Sequence, residues 1–145
     1  MAPTAPRAVV LLPIQPQYAT PILNGLKRVE FRKRAFRREV SHVVVYSSSP
    51  VKQVVGFFEI LGIDEAPPAQ LWRRYSRQGA ILKEDYDRYF SQSDEGVAIR
   101  VGKVHVFQKP FPLGDIAPDL RAPQSYAYLS ADDFTKIRGR RALVT

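Results

Sequence analysis

The 145-residue sequence contains no cysteine. That absence removes disulfides, thiolate metal sites and cysteine nucleophiles together. Histidine is almost as scarce: only His42 and His105 are present, and neither has a partner at metal-ligand spacing. A zinc centre would therefore have to lean on carboxylates. No apolar run approaches the roughly 20 residues that cross a bilayer. The opening MAPTAPR has neither the basic start nor the apolar centre and small-residue cleavage site of a secretory leader, so a cytoplasmic location and no membrane partner are expected. There is no internal repeat, no low-complexity tract, and no glycine-rich loop of the phosphate-cradling kinds. The chain, 1–145, reads as one domain whose core runs from about residue 8 to residue 138, long enough to bury an interior without a metal or disulfide.

What is present in excess is positive charge. Lysine and arginine number 22 against 14 acids, a formal net charge of +8, with a sequence pI near 10.0. This is the electrostatic footprint of a protein that meets phosphate backbones. The charge is concentrated between Gly25 and Arg38, where Lys27, Arg28, Arg32, Lys33, Arg34, Arg37 and Arg38 are opposed only by Glu30. Apolar Val29, Phe31 and Phe36 are interleaved with them, which a solvated arm would not need. From Arg28 the pattern alternates, with Arg28, Glu30, Arg32 and Arg34 pointing one way and Val29 and Phe31 the other, as in a half-buried strand with a charged face. Gly25 to Arg32 has the form G-x-K-x-x-E-x-R. In that spacing the glycine turns the backbone, Lys27 stands at the strand mouth, and Glu30 and Arg32 share a face. A carboxylate beside an arginine orients the guanidinium as a phosphate- or base-reading fork. A surface strand laced with salt bridges gives the same pattern.

Around this segment the elements are predicted as follows. The apolar run Ala8 to Ile14 is a buried strand, and Gln15 to Asn24 a short helix that tolerates Pro21 only in its first turn, closed by Gly25. His42 to Tyr46 and Val54 to Ile60 are strands joined through Ser47-Ser48-Ser49-Pro50. Leu71, Trp72 and Tyr75 mark one helical stripe, and Tyr86, Tyr89 and Phe90 a second, both read as packing. Gly96 to Phe107 alternates as a strand carrying His105, and Ser130 caps a last helix through Phe134 and Ile137. Many strands with few helices point to a compact β-barrel.

The Gly25 to Arg32 segment is followed by Tyr46-Ser47-Ser48-Ser49-Pro50-Val51-Lys52, Val55-Gly56, Leu71-Trp72 and Pro123-Gln124-Ser125-Tyr126. In this order the set resembles the ASCH domain, a branch of the PUA-like superfamily, over most of the chain. The resemblance implies an α+β fold, a small mixed β-barrel decorated by three to four short helices, with a basic cleft suited to RNA, single-stranded or structured, or to a modified nucleobase. It implies nucleic-acid contacts from Lys27, Arg28, Arg32, Arg34, Tyr46, Lys52 and Ser125. Some members cleave RNA and one branch hydrolyses the amide of acetylated cytidine, so catalytic candidates are Lys27, Glu30, Tyr46, Lys52 and Ser125. Tyr46 ends a strand and Lys52 opens the next, which would put both at one rim, and the resemblance returns Ser125 to the same cleft. Tyr46 can equally be a half-buried tyrosine and Lys52 a solvated turn lysine. Binding requires no cofactor; cleavage would call for a divalent metal or a lysine- and tyrosine-assisted attack by the RNA 2'-hydroxyl. For the amidohydrolase the expected set is a lysine, a threonine three residues later and a downstream glutamate. Lys27 matches, Glu30 stands in place of the threonine, and Arg77-Gln78-Gly79 offers no carboxylate, which leaves this the second reading behind an RNA-binding protein with ribonuclease potential.

Overall fold

Apolar residues on both faces of Ala8–Ile14 make the first strand, β1, a central one. It pairs in parallel with β3 (Val40–Ser47) and antiparallel with β6 (Ala127–Leu129), and a strand buried from both sides has no need of alternation. The computed structural model describes residues 7–143; residues 1–6, which carry most of the opening stretch read for a leader, and 144–145 lie outside the described residues. The remaining strands are β2 (Val29–Arg32), β4 (Gln53–Ala66) and β5 (Gly96–Phe111), and the six form one mixed sheet in the order β2-β5-β4-β3-β1-β6. Among the described residues no helix is long and apolar enough to cross a membrane.

β4 and β5 both run beyond their predicted ends, through Asp64-Glu65 and Pro110 respectively. They sustain each other's ladder as far as Ala66 opposite Gly96, and the register shifts three times along it. Each bulge adds twist, which lets so long a pair curl. Gly56 sits where β5 comes close: a Cβ there would lie 2.5 Å from the His105 carbonyl oxygen.

The expected closed barrel is not what the strands form. Among the described residues no pairing joins β2 to β6, so the sheet has two edges, of four and three residues. Strands this short supply too little ladder to close the seam. A side chain bridges it instead: the Arg32 guanidinium on β2 donates to the Pro13 carbonyl of β1, 2.8 Å away. Pro13 lies beyond the stretch of β1 that β6 covers, which leaves that carbonyl available.

Helices cover both faces. α1 (Pro16–Leu23) packs Ala19 and Ile22 against Val10, Leu12, Val43 and Val45, while α4 (Ala131–Arg138) packs Phe134 and Ile137 against Leu11, Val44 and Phe57. Ser130 caps α4 by accepting from the Asp133 amide at 3.0 Å, as its sequence predicts. Pro21 lies deep inside α1 rather than in its first turn. The carbonyl it leaves without a donor belongs to exposed Gln17, where water can serve. α2 (Pro68–Tyr75) and α3 (Lys83–Tyr89) build a third cluster around Val29 and Phe31, in which Leu71, Tyr75, Tyr86 and Phe90 are buried and Trp72 packs against them. The Phe31 and Tyr86 rings meet edge to face, 4.9 Å between centroids.

Candidate functional site

The site begins where α1 ends. Gly25, at φ +85°, turns the chain, and the Lys27 amide donates to the Pro21 carbonyl at 3.0 Å. This drives the Lys27 side chain inward, where only 2% of it is exposed. A buried ammonium needs partners. It donates to the Gly79 carbonyl, stands 3.7 Å from one Glu30 carboxylate oxygen, and lies over the rings of Tyr18 and Phe31 at 5.2 and 5.5 Å. Burial pushes the Lys27 amine below its ordinary pKa; Glu30 opposes that shift and Arg32 adds to it.

The loop from Gln78 to Ala80 is latched to the same place. The Gln78 carbonyl accepts from the amides of Arg28 and Val29 at 2.8 and 3.2 Å. Gly79 must be small here, because a Cβ would fall 2.4 Å from the Phe31 ring. On β2, opposite Ile99, Glu30 is 6% exposed. Its second oxygen is 3.6 Å from Arg32 Nε, a nitrogen that is buried and makes no hydrogen bond. Lys27, Glu30 and Arg32 thus form a file of alternating charge whose spacings exceed those of hydrogen bonds.

The charged strand face expected of Arg28, Glu30, Arg32 and Arg34 is therefore corrected. The strand ends at Arg32, Glu30 is buried, and Lys33 and Arg34 leave the sheet in a bend.

The file opens into a cleft of two lobes that share Arg32 and Tyr89. Lobe one, about 520 Å³, is lined by four cations, Arg32, Lys33, Arg34 and Arg37, and by no carboxylate. Leu12, Ala35, Phe36, Tyr126 and the Ser125 side of the loop before β6 complete it. Lobe two, about 580 Å³, holds Lys27 and Glu30 beside aromatic Tyr18, Phe31 and Tyr89. Its polar rim carries the amides of Gln15, Gln17 and Gln124, the hydroxyl residue Ser48, and Arg88 paired to Asp85 at 3.2 Å. Burial raises the pKa of the Tyr89 hydroxyl, with nearby Arg32 opposing; Lys33 Nζ lies 4.8 Å from the Tyr89 ring centre.

Of the residues predicted from sequence, the fold brings Lys27, Glu30 and Arg32 together in lobe two and Arg32, Arg34 and Ser125 together in lobe one. Arg28 is exposed and lines neither lobe. Tyr46 packs in the α4-side core with Leu11, Val54 and Phe57, and also lines neither. Lys52 is exposed at φ +55° in the turn after β3, whose Ser48 reaches lobe two although Lys52 does not line it. Tyr18, Tyr89, Arg37, Gln17 and Gln124 line the cleft and were not singled out. Gln124 stood beside Ser125 in the motif and Arg37 in the basic run, so both were within reach. Tyr89 carried only a helical stripe position, the same pattern that marks packing, and Tyr18 lay inside the predicted first helix.

A six-stranded mixed sheet with four helices and a basic cleft at β2 defines an ASCH-type α+β domain. Matched over residues 7–118, the chain belongs to the family described as a domain of unknown function, DUF365. It is similar to an ASCH domain-containing ribonuclease of Zymomonas mobilis, 28% identical over 135 residues and 90% of each chain. The crystal structure of ASCH from Zymomonas mobilis superposes with a TM-score of 0.85 at 27% identity, over 92% of this chain and 95% of that one. The N-terminal domain of Staphylothermus marinus McrB, at 12% identity and TM-score 0.59 over 92% and 94%, shares the fold. The large ribosomal subunit protein uL22 of Ureaplasma parvum is 30% identical over 83% of this chain, which spans 39% of that protein's length.

Proposed function

We propose that the cleft binds single-stranded RNA, with the cations of lobe one on phosphate and the aromatic and amide groups of lobe two on an unstacked base. The observation that carries this is the contrast across the shared Arg32 and Tyr89: four cations and no carboxylate on one side, three amides with two carboxylates among the cations on the other, and aromatic rings lining both. Phosphate contacts give sequence-independent affinity, and unpaired bases are held by stacking and by hydrogen bonds to their edges. In this reading Arg28 and Lys52, exposed outside both lobes, add charge for neighbouring phosphates, while Tyr46, packed in the α4-side core, touches no RNA. Fluorescence polarisation with a labelled single-stranded oligomer tests this. The expected result is affinity that falls steeply as salt rises from about 50 to 200 mM; affinity indifferent to salt refutes it.

A second reading, cleavage of the bound RNA, is favoured by the ribonuclease named among the relatives. The chemistry would be attack by the 2'-hydroxyl on the adjacent phosphorus, with the 5'-oxygen leaving and a 2',3'-cyclic phosphate formed. In this reading Glu30, one of two carboxylates lining lobe two with Asp85, takes the hydroxyl proton, water returns a proton to the leaving 5'-oxygen, and Lys27 and Arg32 beside Glu30 stabilise the added charge. Among the described residues no group of three or more His, Cys, Asp or Glu side chains converges on a metal site. Incubation of the protein with single-stranded RNA, with and without chelator, separates the readings: intact RNA in both conditions leaves binding alone.

A further inference from the structure

The two lobes are electrostatically unequal, and so are the phosphates of a strand: those inside it are diesters, and only a phosphorylated end is a monoester. In lobe two three cations face two carboxylates: Lys27 and Arg32 share Glu30, and Arg88 pairs with Asp85. In lobe one, Lys33, Arg34 and Arg37 have no carboxylate within ion-pair distance among the described residues. Arg32, shared with lobe two, is the fourth cation there, and apart from the Ser125 hydroxyl the remaining lining is apolar or aromatic, with Phe36 and Tyr126 packed edge to face at 4.9 Å.

We propose that the cleft recognises a phosphorylated end of an RNA strand, with the terminal phosphate monoester in lobe one and the terminal nucleoside in lobe two. This rests on the RNA-binding reading and sharpens it. A phosphodiester brings one negative charge; a phosphate monoester brings about 1.5 to 2 at neutral pH. The larger charge matches three uncompensated cations better. A monoester also presents three terminal oxygens, which suit arginine forks such as those of Arg34 and Arg37, and the Ser125 hydroxyl is available as a further donor. A 5'-phosphate and a 3'-phosphate share this chemistry.

The experiment uses the full chain and one single-stranded octamer in three forms: 5'-phosphate, 3'-phosphate, and hydroxyl at both ends. Each is measured by competition against an internally labelled copy. One of the two phosphorylated forms is expected to bind at least about tenfold more tightly than the hydroxyl form, and that arm names the end. The preference is expected to shrink between pH 7 and pH 5, as the monoester takes up its second proton near pH 6. The double variant Arg34→Ala, Arg37→Ala is expected to erase it while melting like the parent, since both side chains are exposed. Equal affinity for all three forms overturns end recognition and leaves RNA binding standing. A preference that survives the double variant overturns the assignment of the phosphate to lobe one. No binding of any form removes the RNA reading itself, and end recognition with it.

Discussion

Two halves of one basic segment behave differently. From Lys27 to Arg32 two of the three cations are drawn into the fold: Lys27 is buried, Arg32 spans the seam of the sheet, and the two share Glu30, while Arg28 stays exposed. From Lys33 to Arg38 the chain has left the sheet, its four cations are exposed, and those of lobe one lack a carboxylate. Each half holds four charged residues in six, yet the first includes Glu30 and the second no acid. What separates them is the ladder to β5, which holds residues 29–32 and stops there. Removing Lys27 or Arg32 should therefore cost stability, and removing a cation of the second half should cost binding.

The largest expected effect is from Lys27→Met. It strips Glu30 of one counter-charge and the Gly79 carbonyl of its donor inside the protein, and should lower stability by about 2 to 4 kcal/mol. Denaturant unfolding checks this; a variant as stable as the parent would break the contrast between the halves. Gly79→Ala should follow, at about 1 to 3 kcal/mol. Its new Cβ would meet the Phe31 ring at 2.4 Å and the Tyr75 carbonyl oxygen at 3.3 Å, so either the loop or the ring must move. In the second half, Arg34→Ala with Arg37→Ala should leave stability within about 0.5 kcal/mol. It should weaken RNA binding about tenfold at low salt and lower the slope of log affinity against log salt by about 2.

Much of this was legible in the sequence, and the failures share a cause. The elements were readable wherever periodicity was strong: β1 as a buried run, Val29 and Phe31 as an inward pair, Ser130 as a cap. The division of the basic segment was not. Alternation placed Glu30 on the same face as Arg32 but could not show that this face looks into a cleft, because the loop from Gln78 to Ala80 that covers Lys27 comes from some fifty residues further along. Arg32's bond to Pro13 is likewise a contact between distant segments, and with it the open seam that replaces a closed barrel. Tyr89 illustrates the converse: its stripe position predicted packing, and it does pack on Phe90 at 4.9 Å, yet its other side lines both lobes of the cleft. A residue that serves both roles gives only the commoner pattern.

The finest test of the contrast is a titration. Burial lowers the Lys27 pKa in the folded chain, whereas in the unfolded chain it sits near 10.4. Between those two values the unfolded state binds the proton and the folded state does not, so stability must rise with pH across that interval, at up to about 1.4 kcal/mol per unit. Below the folded value both states are charged, and the burial cost is borne in full. Tyrosines work in the opposite direction: burial pushes Tyr86 up to about 12, so stability is lost as pH rises from 10 through that value. That term is common to the parent and to lysine variants and cancels in their difference. Comparing parent with Lys27→Met by denaturant unfolding from pH 8 to 10.5 should therefore show the gap widening in the parent's favour as pH rises. Parallel curves for Lys27→Met would mean that Glu30 compensates the buried amine completely, and the first half of the segment would then carry its charge at no more cost than the second.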